Sequence, residues 1–449
     1  MRAPGVGIVV SAVLVAAAAG VAARGAGPAA AGSAARAAAA GASAAPDARI
    51  REAADALAQH LVEVRRDIHM HPELGNRETR TGALVADRLR ALGLEVRYPV
   101  ARTGVVAVLR GGRPGRVAAV RADIDALPIQ ERNDVPYRST VPGVKHACGH
   151  DAHTTVVLGV AEVLAGQRDR LPGSVVFLFQ PSEEGPPEGE DGGAPLMIRE
   201  GALDDPKAEA IFGIHVDPLL DAGTIGWTAG PIFASSDRFA ITVAGRTTHG
   251  AYPHTGLDPI PVAADMVGAL QTIVSREIDA RAPKVLTIGT IHGGNRFNII
   301  AGDVEMQGTL RALDDEVRAA LKERMARTVD GVAAAHGTTA TLRFLGEGNP
   351  VTRNDAGLAR ASVPGLERAC GKDKVVEVAP QMGAEDFAHY AQRIPGLYVK
   401  LGVRNTERGI TAMIHTEDFD LDEAALPVGV RALATVLWDF MAAPRQVTR

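Results

Sequence analysis

Residues 175–185 read VVFLFQPSEEG, five consecutive apolar residues followed by a turn that carries Glu183 and Glu184. An unbroken apolar run of this length is typical of a strand buried on both faces, as in parallel or mixed sheets flanked by helices. Residues 210–214 form a second such run, and His215 follows it directly. Because ligands of open α/β sheets bind beyond the carboxyl ends of the strands, we expect the chemistry at these two strand ends.

The flanking sequence predicts an α/β unit around these strands. Apolar residues recur at helical spacing over 50–92, and glycine and proline between two β-rich runs indicate a β-hairpin over 105–120. The remaining predicted elements are a loop over 139–153, a helix over 154–165, a strand over 396–401 and a closing helix over 421–441. The fold class is therefore α/β, with a mixed central sheet flanked by helices.

A different pattern occupies residues 231–346, where the order is strand, helix, strand, strand, helix, strand. That order describes a ferredoxin-like α+β domain inserted into the first unit. The predicted organisation is a leader and linker over 1–46, a catalytic domain in two parts over 47–230 and 347–449, and the insert between those parts.

Composition restricts the class of protein. The 449 residues are 46% hydrophobic and 22% charged, which is typical of a soluble globular enzyme. The formal net charge of −5 supplies no basic surface for a nucleic-acid backbone, so we expect no nucleic-acid partner. The sequence has two cysteines, Cys148 and Cys370, which are too few for a disulfide framework.

The first 46 residues resemble an export signal with a flexible linker. Arg2 precedes an apolar run over 6–23, and a tract rich in alanine, glycine and serine extends to Pro46. Small residues near Ala22 and Ala23 suit a signal peptidase, so we expect an exported, periplasmic or extracellular protein with no membrane attachment after cleavage. The alternative is an uncleaved run that remains in the bilayer as an anchor.

One loop concentrates groups that bind metals. Residues 146–153 read HACGHDAH and include Cys148 and His150. Thiolate, imidazole and carboxylate ligands of this kind hold transition metals. The alternative is a free cysteine with helix-capping polar groups.

Further ligand types follow the apolar runs. Successive strand residues point in opposite directions, so one of Glu183 and Glu184 could bind a metal while the other faces water. An adjacent glutamate pair is also common in a solvated turn. His215 and His415 each follow an apolar residue, and each is either a ligand or a polar cap at a strand end.

Several motifs together resemble the amidohydrolase branch of the aminoacylase and carboxypeptidase G metallopeptidase family, from about residue 65 to residue 440. That branch includes hippurate hydrolases, N-acyl-amino-acid amidohydrolases and indole-acetyl-amino-acid hydrolases. The motifs are RDIHMHPE at 66–73, RADIDALP at 121–128, the loop around Cys148, FQPSEE at 179–184, THGAYPH at 248–254, GAEDF at 383–387 and His415. The resemblance implies a zinc-peptidase-like catalytic domain, with the insert as a lid and dimerisation domain.

The resemblance also implies roles for individual residues. Cys148 would bridge two divalent metal ions, with His150 and His215 completing one site. Glu184 and His415 would complete the other site.

Zinc, manganese, cobalt and nickel all accept such ligands. Glu183 would be the general base. His249, on the insert, would reach toward the substrate carbonyl oxygen, often across a dimer interface, and Asn298 would be a second polar contact.

A hydrolytic mechanism follows from these roles. Metal binding lowers the pKa of water from about 15.7 toward about 7, and Glu183 takes the proton as a bridging hydroxide forms. We expect hydrolysis of the amide bond of small N-acyl amino acids, with an acetyl, aryl-acyl or hippurate-like acyl group. One alternative is a metallo-dipeptidase or carboxypeptidase. Another is a non-catalytic dimeric binding module, although such a protein would be expected to have lost the base or one of the five ligands.

The remaining candidates are rival histidines and supporting acids. We expect Asp123 and Asp125 to orient the ligand histidines. Glu385 is either a similar supporting residue or exposed at the surface. The rival histidines are His69, His71, His153 and His254.

Overall fold

The computed structural model describes residues 47–444. The predicted signal segment and linker over 1–46 lie outside the described residues. A helical segment at 47–56 comes first. The labelled elements that follow are α1 (Ala58–Met70), α2 (Thr79–Ala91), β1 (Glu95–Val100), β2 (Gly104–Arg110), β3 (Arg113–Asp123), α3 (His150–Ala165), β4 (Pro172–Gln180), α4 (Gly193–Arg199), β5 (Ala210–Asp221), β6 (Ile225–Trp227), β7 (Gly230–Phe233), β8 (Ser236–Ala244), α5 (Pro259–Thr272), β9 (Lys284–Gly293), β10 (Asp303–Ala312), α6 (Asp315–Ala335), β11 (Ala340–Asn349), β12 (Thr352–Asn354), α7 (Ala356–Cys370), β13 (Val375–Glu377), α8 (Ala388–Ala391), β14 (Gly396–Arg404) and α9 (Leu426–Ala442).

The central sheet has eight strands in the order β1-β2-β4-β3-β5-β14-β6-β13. Strands β4, β3, β5 and β14 run parallel. On one side β1 and β2 pair antiparallel with their neighbours, and on the other β6 is antiparallel to β14 and parallel to β13. This mixed sheet, with helices packed against it, confirms the predicted α/β class. Its parallel centre places the carboxyl ends of β3 and β4 side by side, since Asp123 pairs with Gln180.

The predicted β-hairpin over 105–120 is wrong. Strand β4 lies between the two runs, antiparallel to β2 and parallel to β3. The turn between the runs packs against the start of β4, because Gly111 N–H donates to the carbonyl of Gly173 at 2.8 Å. A side chain at Gly111 would lie 2.3 Å from the carbonyl oxygen of Leu171, so this close approach requires glycine. The most apolar strand thereby takes a central position that is buried on both faces.

The C-terminal helix α9 packs in the main hydrophobic core with strand residues such as Phe177 and Phe212. Leu433 and Leu437 on this helix are almost fully buried. Within the described part of the chain, the segment Glu423–Ala442 is long and apolar enough to cross a membrane, with a mean hydropathy of 1.4. Its most apolar window is 72% buried inside the protein, as expected for the core helix of a globular fold.

The insert forms its own four-stranded antiparallel sheet in the order β11-β8-β10-β9. Helices α5 and α6 pack on one face, around a second core that includes Phe239, Met306 and Met325. The strand and helix order agrees with the ferredoxin-like pattern. Strand β11 extends to Asn349, and the exact limits of the insert, 231 and 346, stay a prediction.

Two local expectations need correction where the chain approaches the sheet edge. Helix α3 begins at His150, so residues 150–153 belong to the helix and not to the preceding loop. His215 is not at a strand end, because β5 continues to Asp221. Pairing of β5 with β3 stops at Gly213, whereas its pairing with β14 continues past His215. His215 therefore emerges beside the end of β3 while its backbone remains in the sheet.

Candidate metal centre

The N-terminus of α3 presents two of the predicted ligands from adjacent backbone positions. Cys148 comes directly before the N-cap residue Gly149, which has φ +88°, and His150 is the first helical residue. A Cβ at position 149 would lie 2.5 Å from a methyl group of Val216. Both the left-handed conformation and this close approach demand glycine. The chain can therefore aim the thiol and the imidazole at the same point.

The first group of ligand atoms comes from Cys148, His150 and His215, which lie within 4.8 Å of one another. The Sγ of Cys148 is 3.4 Å from Nε2 of His215. His215 donates from Nδ1 to the carbonyl of Val216 at 2.6 Å. His150 contacts Oδ1 of Asp125 through its Nδ1 at 3.1 Å. Both rings therefore direct Nε2 inward, and an outer contact fixes each orientation.

The second group comes from Cys148, Glu184 and His415, again within 4.8 Å. Oε1 of Glu184 lies 3.1 Å from Nε2 of His415. The backbone N–H of Glu184 donates to Oδ2 of Asp125 at 3.0 Å, so the same aspartate supports ligands of both groups. Because Cys148 belongs to both groups, its sulfur is placed to contact two ions at once.

The unsatisfied polar atoms match this interpretation. Nε2 of His150 and Oε1 of Glu184 are buried and make no hydrogen bond with any described residue. Buried polar atoms are rarely left without a partner, and a cation would satisfy both. Burial raises the pKa of the Cys148 thiol to about 12, with the Glu184 carboxylate adding to the effect. A thiolate in this position needs adjacent positive charge, so the donor set fits divalent metal ions.

The protonation state of His215 is also compatible with metal binding at this site. Burial holds the pKa of His215 well below its usual value, and the neighbouring His153 and Lys400 add to the effect. His215 is therefore neutral, which is the form that ligates metals.

Glu183 lies beside these groups with a different environment. Its Oε2 is 4.0 Å from Nε2 of His150, and 9% of its side chain is exposed. Its Oε1 accepts a hydrogen bond from the backbone N–H of Asp386 at 3.3 Å. Burial raises the pKa of Glu183 well above its usual value, and the carboxylates of Glu385, Glu184 and Asp386 add to this. A carboxylate in such a setting gains a proton readily, as a general base must.

A buried arginine with no role predicted from the sequence stabilises this acidic region. Arg121, on β3, is fully buried and contacts Asp123 at 2.6 Å, Asp386 at 2.7 Å and Glu385 at 2.9 Å. The hydroxyl of Tyr398 donates to Glu385 at 2.7 Å and accepts from Arg121 at 3.2 Å. The charged residue inside the apolar run VAAVRAD was the available signal, because a buried charge must be paired.

The rival histidines have other partners. His153 contacts Asp123 through Nδ1 at 2.7 Å and accepts from the backbone N–H of Val216 through Nε2 at 2.9 Å. His69 contacts Asp151 and Glu131 through its two nitrogens. Their ring nitrogens are therefore occupied by protein atoms.

The other two rivals lie apart from these contacts. His71 uses Nδ1 for the carbonyl of Asp67, and His254 is exposed on the insert. Asp125 contacts the ligand histidine His150, as expected of an orienting residue. Asp123 instead holds His153, and Glu385 contacts Arg121 and Tyr398.

The structure does not place His249 or Asn298 in either ligand group. Both lie on the insert, where Gly250 N–H donates to the carbonyl of Asn298 at 2.8 Å. His249 is exposed, whereas Oδ1 of Asn298 is buried without a hydrogen-bond partner among the described residues. Their roles in catalysis stay predictions.

A cavity of about 930 Å³ opens onto Glu183 and Glu184. One wall is the acidic loop over 185–193, and the insert contributes Arg238 and Gln307. An ion pair of 2.6 Å between Glu190 and Arg77 holds this loop against the rest of the catalytic domain. The cavity is large enough for a small organic substrate beside the ligand groups.

Comparison with known proteins adds a family context. The sequence model of peptidase family M20/M25/M40 matches residues 119–439. Thermostable carboxypeptidase 2 of Saccharolobus solfataricus is 38% identical over 87% of this chain and 98% of its own. An N-acetylcysteine deacetylase of Bacillus subtilis is 38% identical over 85% of this chain and 97% of its own. The crystal structure of a dinuclear metal-binding M20 peptidase from Bacillus subtilis is 35% identical, covers 86% of this chain and 100% of its own, and has a TM-score of 0.73.

The shared position of Cys148 generates a prediction about metal content. We expect Cys148→Ala to lower bound metal from about two ions per chain to about one or fewer, because one thiolate serves both groups. Mass-spectrometric metal analysis after dialysis measures this. The matched control is Cys370→Ala at the other cysteine, at the end of α7, which should retain the wild-type content. Two ions still bound to Cys148→Ala would contradict the bridging position.

Proposed function

This chain belongs to peptidase family M20/M25/M40, a family of metal-dependent hydrolases that act on amide bonds, and from that membership we propose that it hydrolyses small N-acyl amino acids. The observation that carries the proposal is geometric. Two ligand groups share the sulfur of Cys148, and a separate carboxylate, Glu183, lies beside them at the end of a cavity.

The mechanism assigns separate tasks to the adjacent glutamates. When bound, two divalent cations lower the pKa of water and polarise the scissile carbonyl group. Glu184 serves as a ligand, whereas Glu183 accepts the proton from the attacking water. Glu183 then delivers that proton to the amine nitrogen as the carbon–nitrogen bond breaks. The backbone N–H of Asp386 holds Oε1 of Glu183, which leaves Oε2 free to exchange the proton.

The names of the relatives support the choice of substrate class. A deacetylase removes an acyl group from an amino acid, and a carboxypeptidase releases the amino acid at a C-terminus. In both reactions the amine product is an amino acid with a free carboxylate. We therefore propose an amide whose amine side carries a carboxylate, with a small acyl group on the other side. A carboxypeptidase acting on short peptides is the competing function.

A substrate panel tests this choice. We expect N-acetyl-, N-benzoyl- and indole-acetyl-amino acids to be hydrolysed with kcat/KM at least about 10-fold above an unblocked dipeptide of the same amino acid. The free ammonium of a dipeptide lies next to the scissile carbonyl, where it would meet the cations of the site. The assay uses protein loaded in turn with zinc, manganese, cobalt or nickel. A consistent preference for the dipeptide would instead favour the peptidase function.

The role of Glu183 gives a second test. We expect Glu183→Gln to retain its metal and to lose turnover by about 100-fold or more, because the amide cannot accept the proton. Metal analysis and steady-state kinetics on the best panel substrate measure the two effects. Glu52→Gln, at an exposed position on the N-terminal helical segment, is the matched control and should behave as wild type. Wild-type turnover by metal-loaded Glu183→Gln would remove this residue from the mechanism.

We also propose that a second copy of this chain contributes His249 and Asn298 to the site. The supporting observation is an exposed apolar area beside these residues. Phe297 is 96% exposed, and Ile291 and Ile299 are about half exposed at 52% and 43%. Strand β9 forms an edge of the insert sheet, which leaves its backbone available for pairing with another chain.

Mixing two inactive variants tests whether His249 acts across the interface. Glu183→Gln and His249→Ala are expected to be nearly inactive alone, because each lacks one group at every site. After subunit exchange, half of the dimers are hybrids with one complete site of two, so we expect about a quarter of wild-type activity. The two variants carry different affinity tags, so that co-purification of both tags shows subunit exchange. No recovery of activity in an exchanged mixture would place His249 outside the partner's site.

The location of the enzyme is a separate proposal. Arg2 and the apolar run over 6–23 support export to the periplasm or the extracellular space.

A further inference from the structure

The residue before the proposed base has an unfavourable backbone conformation. Ser182 has φ +59°, in the left-handed region that residues other than glycine rarely adopt. Ser182 is 1% exposed, and within residues 47–444 its hydroxyl has no hydrogen-bond partner. The serine side chain therefore does not stabilise this conformation. The bend lets the chain leave β4 and present Glu183 and Glu184 in different directions.

A buried carboxylate holds this bend from behind. Oε1 of Glu78 accepts a hydrogen bond from the backbone N–H of Ser182 at 2.9 Å. Oε2 of Glu78 accepts from the hydroxyl of Thr103 at 2.6 Å. Glu78 is fully buried and is the N-cap residue of α2, so its carboxylate is anchored by a helix. Burial and the nearby Asp125 raise the pKa of Glu78 to about 7, and either protonation state offers an oxygen to the Ser182 amide.

The hydrogen bond to Ser182 has a counterpart on the other side of the base. Asp125 accepts from the backbone N–H of Glu184 at 3.0 Å. The amides before and after Glu183 are thus each bound by a buried carboxylate from a different segment of the chain. Neither carboxylate is among the ligand atoms of the two groups that contain Cys148.

We propose that Glu78 is a positioning residue, which fixes the Ser182 bend and thereby sets the orientation of both Glu183 and Glu184. This inference rests on the proposed function for its kinetic consequence, whereas its consequence for metal binding depends only on Glu184. Loss of the contact would let the bend relax, so both glutamates would move together.

Three variants separate positioning from general stability. Glu78→Gln keeps an acceptor for Ser182 N–H and gains a donor for Thr103, so it should stay within about threefold of wild type. Glu78→Ala should lower kcat at least about 10-fold with little change in KM, and weaken binding of Co²⁺ about 10-fold or more. Ser182→Gly in the Glu78→Ala background should recover part of kcat, because glycine adopts positive φ without a side-chain penalty.

The measurements are a Co²⁺ titration followed by thiolate-to-cobalt absorption, steady-state kinetics and circular dichroism. If Glu78→Ala does not fold, Thr103→Val tests the same contact more gently, with an expected loss of kcat of about threefold or more. The proposal is overturned if a folded Glu78→Ala, or Thr103→Val in its place, retains wild-type kcat and Co²⁺ affinity, or if Glu78→Gln loses as much as Glu78→Ala. If the wild-type protein hydrolyses no substrate of the panel, the proposed function is rejected. The Co²⁺ affinity of Glu78→Ala then decides by itself whether Glu78 is a positioning residue.

Discussion

The structure depends on neutralising several acidic groups that are buried at one edge of a sheet. Glu183 and Glu184, which follow β4, approach Glu385 and Asp386, which lie in the segment before α8. Burying carboxylates is costly unless positive charge lies close to them. On one side that charge is the guanidinium of Arg121, held inside the sheet. On the other side the inward nitrogens of the histidines and the thiol of Cys148 surround space suited to cations.

This division explains why two neighbouring glutamates can differ in role. Glu184 is turned toward His415 and the thiol, with an oxygen left unsatisfied. Glu183 is turned toward the backbone of Asp386 and toward other carboxylates that favour its protonated form. The bend at Ser182 separates the two directions. In the proposed mechanism a single turn of the chain supplies both a ligand and a base, and buried carboxylates bind the backbone amides on either side of the base.

The sequence was informative wherever a local pattern determined the structure. The apolar run over 175–179 predicted a buried strand, and the alternation in the insert predicted its order of elements. Strand neighbours were harder, because the β2–β3 turn resembles a hairpin, and the insertion of β4 between them depends on contacts with residues far along the chain. The start of α3 was predicted too late because Gly149 resembles a loop residue. In the structure Gly149 has a positive φ and is the N-cap residue of the helix.

The five candidate ligand residues were recognisable from residue chemistry and from the family resemblance, and the structure brings them together in the two expected groups. The supporting residues were not recognisable from the sequence, since Arg121 and Glu78 act through partners that are distant in sequence.

The most direct test of the account is anomalous diffraction from crystals of the zinc- or cobalt-loaded protein. We predict two metal peaks on opposite sides of the Cys148 sulfur, one next to His150 and His215 and the other next to Glu184 and His415. A single peak, or two peaks away from that sulfur, would contradict it.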